Sequence, residues 1–498
     1  MEVIIKHHVC ALTKFNFFLR NNLLLTFFYP YQDFIKFMKN KKLNLTEDPV
    51  PQLIIKMAVP VSIGFFFHTM FNVVDTYFAS QINSVAVAAI TITFPIFFMI
   101  IAISSGTRQG ATALIANAEG ANDKALAKQY LVQTISFSII AAIFIMIVGL
   151  ISAPYLFKIM HAEGEYFNFA IQYTNILLYG CLFIILDSTP TAGLNAVGDT
   201  KTYARVFIIG FFLNLILDPL FIYGYGPIPS MGIKGIAYAT VFAEFAATIY
   251  VFYRIKKMTN FFDQVTIKDF LPQIKLQLAI AKQAFPASIN MFCVAAGFFI
   301  ITFFVSFFPT TDTSNVSIAA YGIAIRIEQI ILLPAIGLNF ACLSLTGQNY
   351  GAAKYDRIRE GYLVCLKYGI ILLFFGSLLL FFGAGYFMSI FTNDEKVIKI
   401  GINYLQIAAL FTPIIAVLNI SIALMQGVKK PNFTVFISLF KEVIGAAIII
   451  WLICFYFNYQ LQGIWFAILL TNYLSVIMFL LIVNYKMKSL GLKIFKIK

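Results

Sequence analysis

The sequence predicts an all-α integral membrane protein: twelve transmembrane helices in two six-helix lobes, related by pseudo-two-fold symmetry about the membrane normal. Three observations carry this reading. Of 498 residues, 60% are hydrophobic and only 12% are charged, where a soluble chain carries about 25% charged residues. Long apolar runs recur, among them residues 132–150, 370–382 and 443–457, close to the ~20 residues that a helix needs to cross a bilayer. Blocks of sequence from the first half also return in the same order in the second.

Residues 1–50 form a basic extension ahead of the first span. Its apolar stretch "FNFFLRNNLLLTFFYPYQDF" is cut by Arg20, Asn21, Asn22 and Pro30, too often for a span, and no small-residue cleavage site follows as in a signal peptide. A basic segment with Phe and Leu clusters suits the membrane interface. A start of translation at Met38 accounts for it equally well, and the segment is given no function.

The spans fall at roughly 58–80, 84–106, 129–152, 167–190, 202–223, 234–254, 280–306, 316–341, 361–386, 401–425, 432–456 and 461–485, each near the thickness of the hydrocarbon core. The first lobe then covers 51–255, a basic loop 256–279, the second lobe 280–485 and a basic tail 486–498. The net charge of +14 follows this topology. Connections after even-numbered spans hold Arg108, Lys124, Lys128, Lys201, Arg205, Lys256, Lys257, Lys268, Lys354, Arg357, Lys429 and Lys430. Those after odd-numbered spans hold only Lys158, Lys234, Lys396 and Lys399. By the positive-inside rule, both termini and the even connections are cytoplasmic. The charge is therefore not a nucleic-acid footprint, and no nucleic-acid partner is expected.

The repeat is legible in four places. "GTRQGATALIANAEGA" (106–121) pairs with "GLNFACLSLTGQNYGA" (337–352), and "SVAVAAITI" (84–92) with "NVSIAAYGI" (315–323). "LNAVGDTK" (194–201) pairs with "MQGVKKPN" (425–432), and "MAVPVSIGFF" (57–66), in a slightly different register, with "QAFPASINMF" (283–292). Six spans followed by six more in the same orientation imply a central cavity and rocking of the lobes, the geometry of alternating access. The six cysteines show no disulfide or zinc spacing and read as small buried hydrophobes. There is no Walker loop, HExxH, GxSxG or CxxC, which excludes an ATP-driven pump and the usual hydrolases. The protein reads as no enzyme.

Charges within spans are rare and expensive, so they mark function. Here they are Asp75, Asp187, Asp218, Glu244, Arg326, Glu328, Lys441 and Glu442. In the first span, His68, Asn72 and Asp75 stand at i, i+4 and i+7, one stripe of one helix. In the fifth, Asn214 and Asp218 share a face. Pro219 has no N–H and its ring collides with the carbonyl of Leu215, so it is the expected hinge. A carboxylate, a carboxamide and a freed carbonyl are hard oxygen ligands, suited to a proton relay or a small cation. Thr240 in the sixth span can complete the cluster. A lone His68 is more often a packed residue, Glu244 can be a mere helix-bundle hydrogen bonder, and Arg326 and Glu328, two apart, cannot pair with each other on one helix. No role is assigned to Arg326, Glu328, Lys441 or Glu442.

The motifs "AVP…FNVVDTYFAS", "LNAVGDTK", "LNLILDPLFIYG" and "GIKGIAYAT" together resemble the multidrug and toxic compound extrusion (MATE) family of the multidrug/oligosaccharidyl-lipid/polysaccharide flippase superfamily, over about residues 50–485. The resemblance implies an antiporter of the bacterial inner membrane, exporting amphipathic, often cationic drugs in exchange for H+ or Na+ and acting as a monomer among membrane lipids. It has no cofactor beyond the coupling ion. In the DinF-like branch the implied coupling cluster matches Asp75, Asn214, Asp218 and Thr240, joined by Tyr173; the same four would ligate the metal if Na+ is the coupling ion. The NorM-like branch relies on acids in the seventh and tenth spans, which have none here. Asp187, near Thr191, departs from the pattern where an amide or Arg is expected. The implied mechanism is that ion binding at Asp75 and Asp218 alters the bend of the first helix and releases drug outward. The nearest rival is a lipid or lipid-linked oligosaccharide flippase, disfavoured by the excess of acids over bases within the spans. A membrane-embedded lipid transferase or a channel finds less support still.

Overall fold

The computed structural model describes residues 43–308, 315–489 and 491. The basic extension and the Met38 start thus lie outside the described residues, except for 43–49, as does most of the basic tail. Twelve helices among the described residues are long and apolar enough to cross a membrane. They are α1 (Val50–Ile82), α2 (Ser84–Gly120), α3 (Lys124–Ile159), α4 (Gly164–Ala196), α5 (Lys201–Tyr223), α6 (Ile233–Met258), α7 (Ile274–Ser306), α8 (Asn315–Gly351), α9 (Tyr355–Phe391), α10 (Glu395–Gly427), α11 (Asn432–Tyr456) and α12 (Gln460–Ser489). In hydrocarbon every backbone N–H and C=O needs an internal partner, which is why such apolar sequence becomes helix. Side-chain caps start several helices: Asn83 accepts from the Ala86 N–H, Asp123 from that of Leu126 and Asp394 from that of Lys396.

Most helices outrun their expected spans. The apolar stretch 84–106 continues as helix to Gly120, because its last turns pack on protein rather than lipid. Ala111, Ile115, Ala116 and Ala118 are buried there. Within α11, residues Leu439–Ile444 and Leu452–Tyr456 are wound as π-helix, a geometry that widens the helix locally.

The packing repeats between halves. α2 packs on α3 and α4, α1 on α5 and α4 on α6; in the same order α8 packs on α9 and α10, α7 on α11 and α10 on α12. The first helix of each half also crosses over: α1 lies against α8, and α7 against α2. Small residues make these approaches possible. A Cβ on Gly106 would lie 2.7 Å from the Ala284 carbonyl and 2.0 Å from the Ser288 hydroxyl, and one on Gly337 would lie 2.3 Å from both the Ala58 carbonyl and the Ser62 hydroxyl. Each contact is the other's counterpart in the repeat.

The closest seam lies at the lysine-rich face, where α2 and α8 end. A Cβ on Gly120 would sit 1.9 Å from the Gln348 carbonyl, and one on Gly351 1.9 Å from that of Asn117. Asn117 Nδ2 donates to the Gly427 carbonyl (2.9 Å), and Gln348 Nε2 to that of Ala196 (2.6 Å). The repeat register that pairs Gly106 with Gly337 also pairs Asn117 with Gln348 and Ala196 with Gly427, so these two hydrogen bonds form a symmetric couple joining the halves. Beside them, residues 43–49 are tied down: Asn349 Nδ2 and Arg357 Nη2 donate to the Leu45 carbonyl, and Arg357 Nη2 also to that of Asp48. The Leu45 side chain is fully buried. Replacing Leu45 with Ala is expected to cost about 3 kcal/mol through lost burial and a cavity, read as a lower melting temperature in detergent.

The connection between halves is anchored through α3. Gln133 Nε2 donates to the Asp269 and Leu271 carbonyls, and its Oε1 accepts from the Gln273 N–H.

Candidate functional site

The packing of α1 on α5, and of α5 on α6, sets the stripe of α1 that carries Asp75 against the faces carrying Asn214, Asp218 and Thr240. Asp218 and Asn214 are fully buried, and Asp75, Thr240 and Tyr173 nearly so. Asn214 Nδ2 donates to Asp218 Oδ1 (3.2 Å), and Thr240 Oγ1 to Asp75 Oδ2 (3.3 Å). The Asp75 and Asp218 carboxyl groups stand within hydrogen-bonding reach of each other, and Tyr173 on α4 lies within electrostatic reach of both. Asp75, Asn214, Asp218 and Thr240, four of the five residues expected to form one cluster, are therefore together, and Tyr173 is buried nearby. Pro219 follows Asp218 inside an α5 that stays helical to Tyr223.

The cluster leaves Asp75 Oδ1, Asp218 Oδ2 and Asn214 Oδ1 buried without a partner. Two bare carboxylates at this separation repel strongly in a low-dielectric interior, and each orphaned oxygen is costly. The arrangement is stable only with a positive charge added: a proton shared by the pair, or a small cation on the oxygens of Asp75, Asp218, Asn214 and Thr240. The donor set consists of hard oxygens, which suits an alkali cation as well as a proton.

Thr240 also lines a narrow cleft of the first half, walled by Phe71, Phe97 and Phe207, with His68, Asn72 and Glu244 at its polar edge. His68 meets Phe207 edge-on at 4.8 Å, so it packs as an aromatic ring. Asp187 stands apart from the Asp75–Asp218 pair. Its Oδ2 accepts from Thr191 Oγ1 (3.4 Å), its Oδ1 is buried without a partner, and the charges that act with it are those of Arg108 and Glu244.

Arg108 corrects the sequence reading. It is not in a connection but within α2, about 8% exposed. Its guanidinium lies over the neighbouring rings of Tyr203 (5.1 Å) and Phe340 (5.0 Å), the first from α5 and the second from α8, and so touches both halves by cation–π contact. Nη1 donates to the Tyr203 hydroxyl (3.2 Å) and Nη2 to Ser105 Oγ (3.4 Å), while Nε has no partner. The run of Ser, Gly, Thr and Ala around it, which ends the apolar stretch, was the available signal: small residues mark helix contacts as well as span ends. The topological argument stands on the remaining lysines and arginines. Arg108→Ala is expected to lower the melting temperature in detergent. Arg108→Lys should also lower it, since an ammonium cannot stack in plane with both rings.

The second half has its own buried ionisable group. Tyr404, the repeat counterpart of Tyr173, donates its hydroxyl to Glu328 Oε2 (2.5 Å). Lys441 pairs with Glu442 in the π-wound part of α11, and Gly297 on α7 leaves room for Glu442, whose Oε2 would lie 2.7 Å from a Cβ there. Arg326 is exposed while Glu328 is buried, as two positions two apart on a helix require.

Comparison with known proteins agrees with this architecture. The sequence profile of the MatE family matches residues 60–220 and 286–451, once in each half. The chain is similar to the probable multidrug resistance protein YoeA of Bacillus subtilis (strain 168), 30% identical over 55% of this chain and 59% of YoeA. It is also similar to the FAD transporter of Shewanella oneidensis, 25% identical over 72% of this chain and 77% of that protein. A solved outward-facing structure of a multidrug resistance MATE family transporter superposes with a TM-score of 0.84 at 24% identity, covering 91% of this chain and 99% of that one. A family profile matched in both halves, on twelve helices packed as a repeat, makes this chain a membrane transporter of the MatE family.

Proposed function

We propose that the protein is a secondary antiporter that exports amphipathic, often cationic small molecules in exchange for H+ or Na+. The observation that carries this is the Asp75–Asp218 pair, two buried carboxyl groups within hydrogen-bonding reach with orphaned oxygens on each. Such a pair binds one positive charge from outside and changes its repulsion when that charge leaves. The ion and the exported molecule then alternate, because the cluster and the cleft share Thr240. Pro60 in α1 and Pro219 in α5 lack the N–H that would stiffen their helices, and they let the two respond by bending.

The lysine-rich face is cytoplasmic in this reading, in an inner membrane. The seam of Asn117, Gly120, Gln348 and Gly351 is then the closed cytoplasmic gate, and lobes 51–255 and 280–485 rock about it. In the second half the acids away from helix ends are Glu328 in α8 and Glu442 in α11; α7 has none, and α10 has only Glu395, its first residue. This supports coupling through the first half, as in the DinF-like branch. The named relatives include a probable multidrug resistance protein and an FAD transporter, so the cargo class rests on the cleft.

The test uses purified protein in liposomes loaded with ethidium, with a proton gradient and a sodium gradient imposed in turn. Movement that follows one gradient and is lost in Asp75→Asn names the antiporter and its ion. No movement under either gradient would discard the drug-antiport reading and direct the next assay to labelled lipid.

A further inference from the structure

We propose that the connection between the halves, residues 259–282, is an interfacial anchor that binds the headgroups of anionic phospholipids. It needs only that the chain be embedded in a membrane, whatever the cargo. Between 256 and 282 there are five lysines against two aspartates, and Lys256, Lys257, Lys268, Lys275 and Lys282 are all exposed. Asp269 is engaged: its carboxylate accepts from the Thr266 N–H (2.7 Å) and hydroxyl (3.0 Å), capping the short 3₁₀ turn Ile267–Phe270. The same stretch turns large aliphatic side chains outward. Ile267 is 88% exposed, Ile274 78% and Leu271 65%. On α7, Ile274, Leu278 and Phe285 form one exposed stripe at i, i+4 and i+11, and Lys275 and Lys282, seven residues apart, border it on one side. An apolar stripe edged by positive charge is the face of a segment that lies in a membrane interface.

Hydrogen bonds to α3 set the depth of this face. Gln133 Nε2 donates to the carbonyls of Asp269 and Leu271 (both 2.8 Å), and its Oε1 accepts from the Gln273 N–H (2.8 Å) and from Gln277 Nε2 (2.9 Å). Ser136 Oγ donates to the Phe270 carbonyl. Gln133 lies about 14 Å along α3 from its charged start at Lys124. The helix then first turns isoleucines outward at Ile139 and Ile140, about 9 Å beyond Gln133. The connection is therefore held between the lysine-rich end and the lipid-facing stretch, at the level of the headgroups. There an exposed Ile or Leu reaches the acyl boundary, while a lysine ammonium on its four-carbon stem stays among the phosphates. Lysines beside a membrane attract anionic lipid, so the face prefers it to zwitterionic lipid. The connection is tied to α3 of the first half and runs on into α7 of the second, so a lipid bound here sits at the joint between the halves.

Quenching of tryptophan fluorescence by brominated lipid tests this on the full-length protein in liposomes. Leu271→Trp is compared with the unmodified chain in bilayers that mix phosphatidylcholine and phosphatidylglycerol. An equal fraction of the total lipid, drawn from one or the other, carries bromine on its acyl chains. The added tryptophan should be quenched by both, and about threefold more by brominated phosphatidylglycerol. Lys268→Gln, Lys275→Gln and Lys282→Gln made together should equalise the two. Inorganic phosphate, exchanged for chloride at equal ionic strength, should leave the preference unchanged. Equal quenching with the lysines in place overturns the proposal, and so does a preference that survives their loss. A preference abolished by phosphate shows a site for the free anion and overturns the lipid assignment. No quenching by either lipid shows the face in water or against protein and overturns the anchor. Ile267→Trp, at the most exposed of these positions, repeats the measurement if the first variant does not fold.

Discussion

Replacing Asp218 with Asn should reduce gradient-driven export to the level of protein-free liposomes, while the protein folds and melts at or above the normal temperature. The carboxamide is nearly isosteric and can still accept from Asn214 through its oxygen, so packing around this fully buried position is kept. What disappears is one of two negative charges in a dry site. Two unit charges about 4 Å apart interact by about 4 kcal/mol at an effective dielectric of 20. Removing that repulsion removes both the demand for a coupling ion and the force its departure releases. Stability and transport should therefore move in opposite directions, which a simple packing defect would not produce. Undiminished export by Asp218→Asn vesicles would refute the assignment of the coupling site. Asp75→Asn, made on the other helix of the pair, guards against an effect peculiar to α5.

Gly351→Leu should abolish transport by a different route, with the ion site untouched. A Cβ at this position would lie 1.9 Å from the Asn117 carbonyl, so the seam at the lysine-rich face cannot close on any larger side chain without moving α2 from α8. A cysteine replacing Ala116, fully buried at that seam, should then react with a membrane-impermeant maleimide from the lysine-rich side at least tenfold faster, in a background lacking the native cysteines. Should the leucine variant fail to fold, the double variant Asn117→Ala, Gln348→Ala asks the same question more gently. It deletes the symmetric pair of hydrogen bonds, each worth about 1 kcal/mol, which shifts the population toward the open seam by about thirtyfold. Unchanged labelling in both variants would show that the seam is not a gate.

The two sites differ in how far the sequence exposed them. Asp75 and Asp218 were legible because a carboxylate in hydrocarbon-grade sequence is anomalous by itself, and because Asn72 and Asn214 stand at helical spacing from them and Pro219 adjoins Asp218. Their mutual contact was not legible from spacing. It depends on which faces of α1 and α5 meet, and their part in one cluster came from family resemblance before the geometry showed it. Arg108 was misplaced for the opposite reason. Its neighbours are small and polar, the composition of a span's end, and only burial by α4, α7 and α8 makes that segment interior helix. The seam was half visible: the repeat aligned Gly120 with Gly351 and Asn117 with Gln348, but nothing local says that the aligned residues touch each other's halves.

By itself the sequence determined that the chain is a membrane protein of twelve helices, built as two similar halves, with carboxyl groups where lipid would not tolerate them. Those are properties of composition and periodicity, and the bilayer enforces them locally by forbidding unpaired backbone groups. Tertiary structure alone decided that Asp75 meets Asp218, that Arg108 bridges the halves through Tyr203 and Phe340, and that Glu244 faces a cleft. Helix pairing in an apolar solvent has no hydrophobic pattern to direct it. It is decided by the close fit of small residues and by a few interhelical hydrogen bonds, whose partners lie tens to hundreds of positions away in the chain.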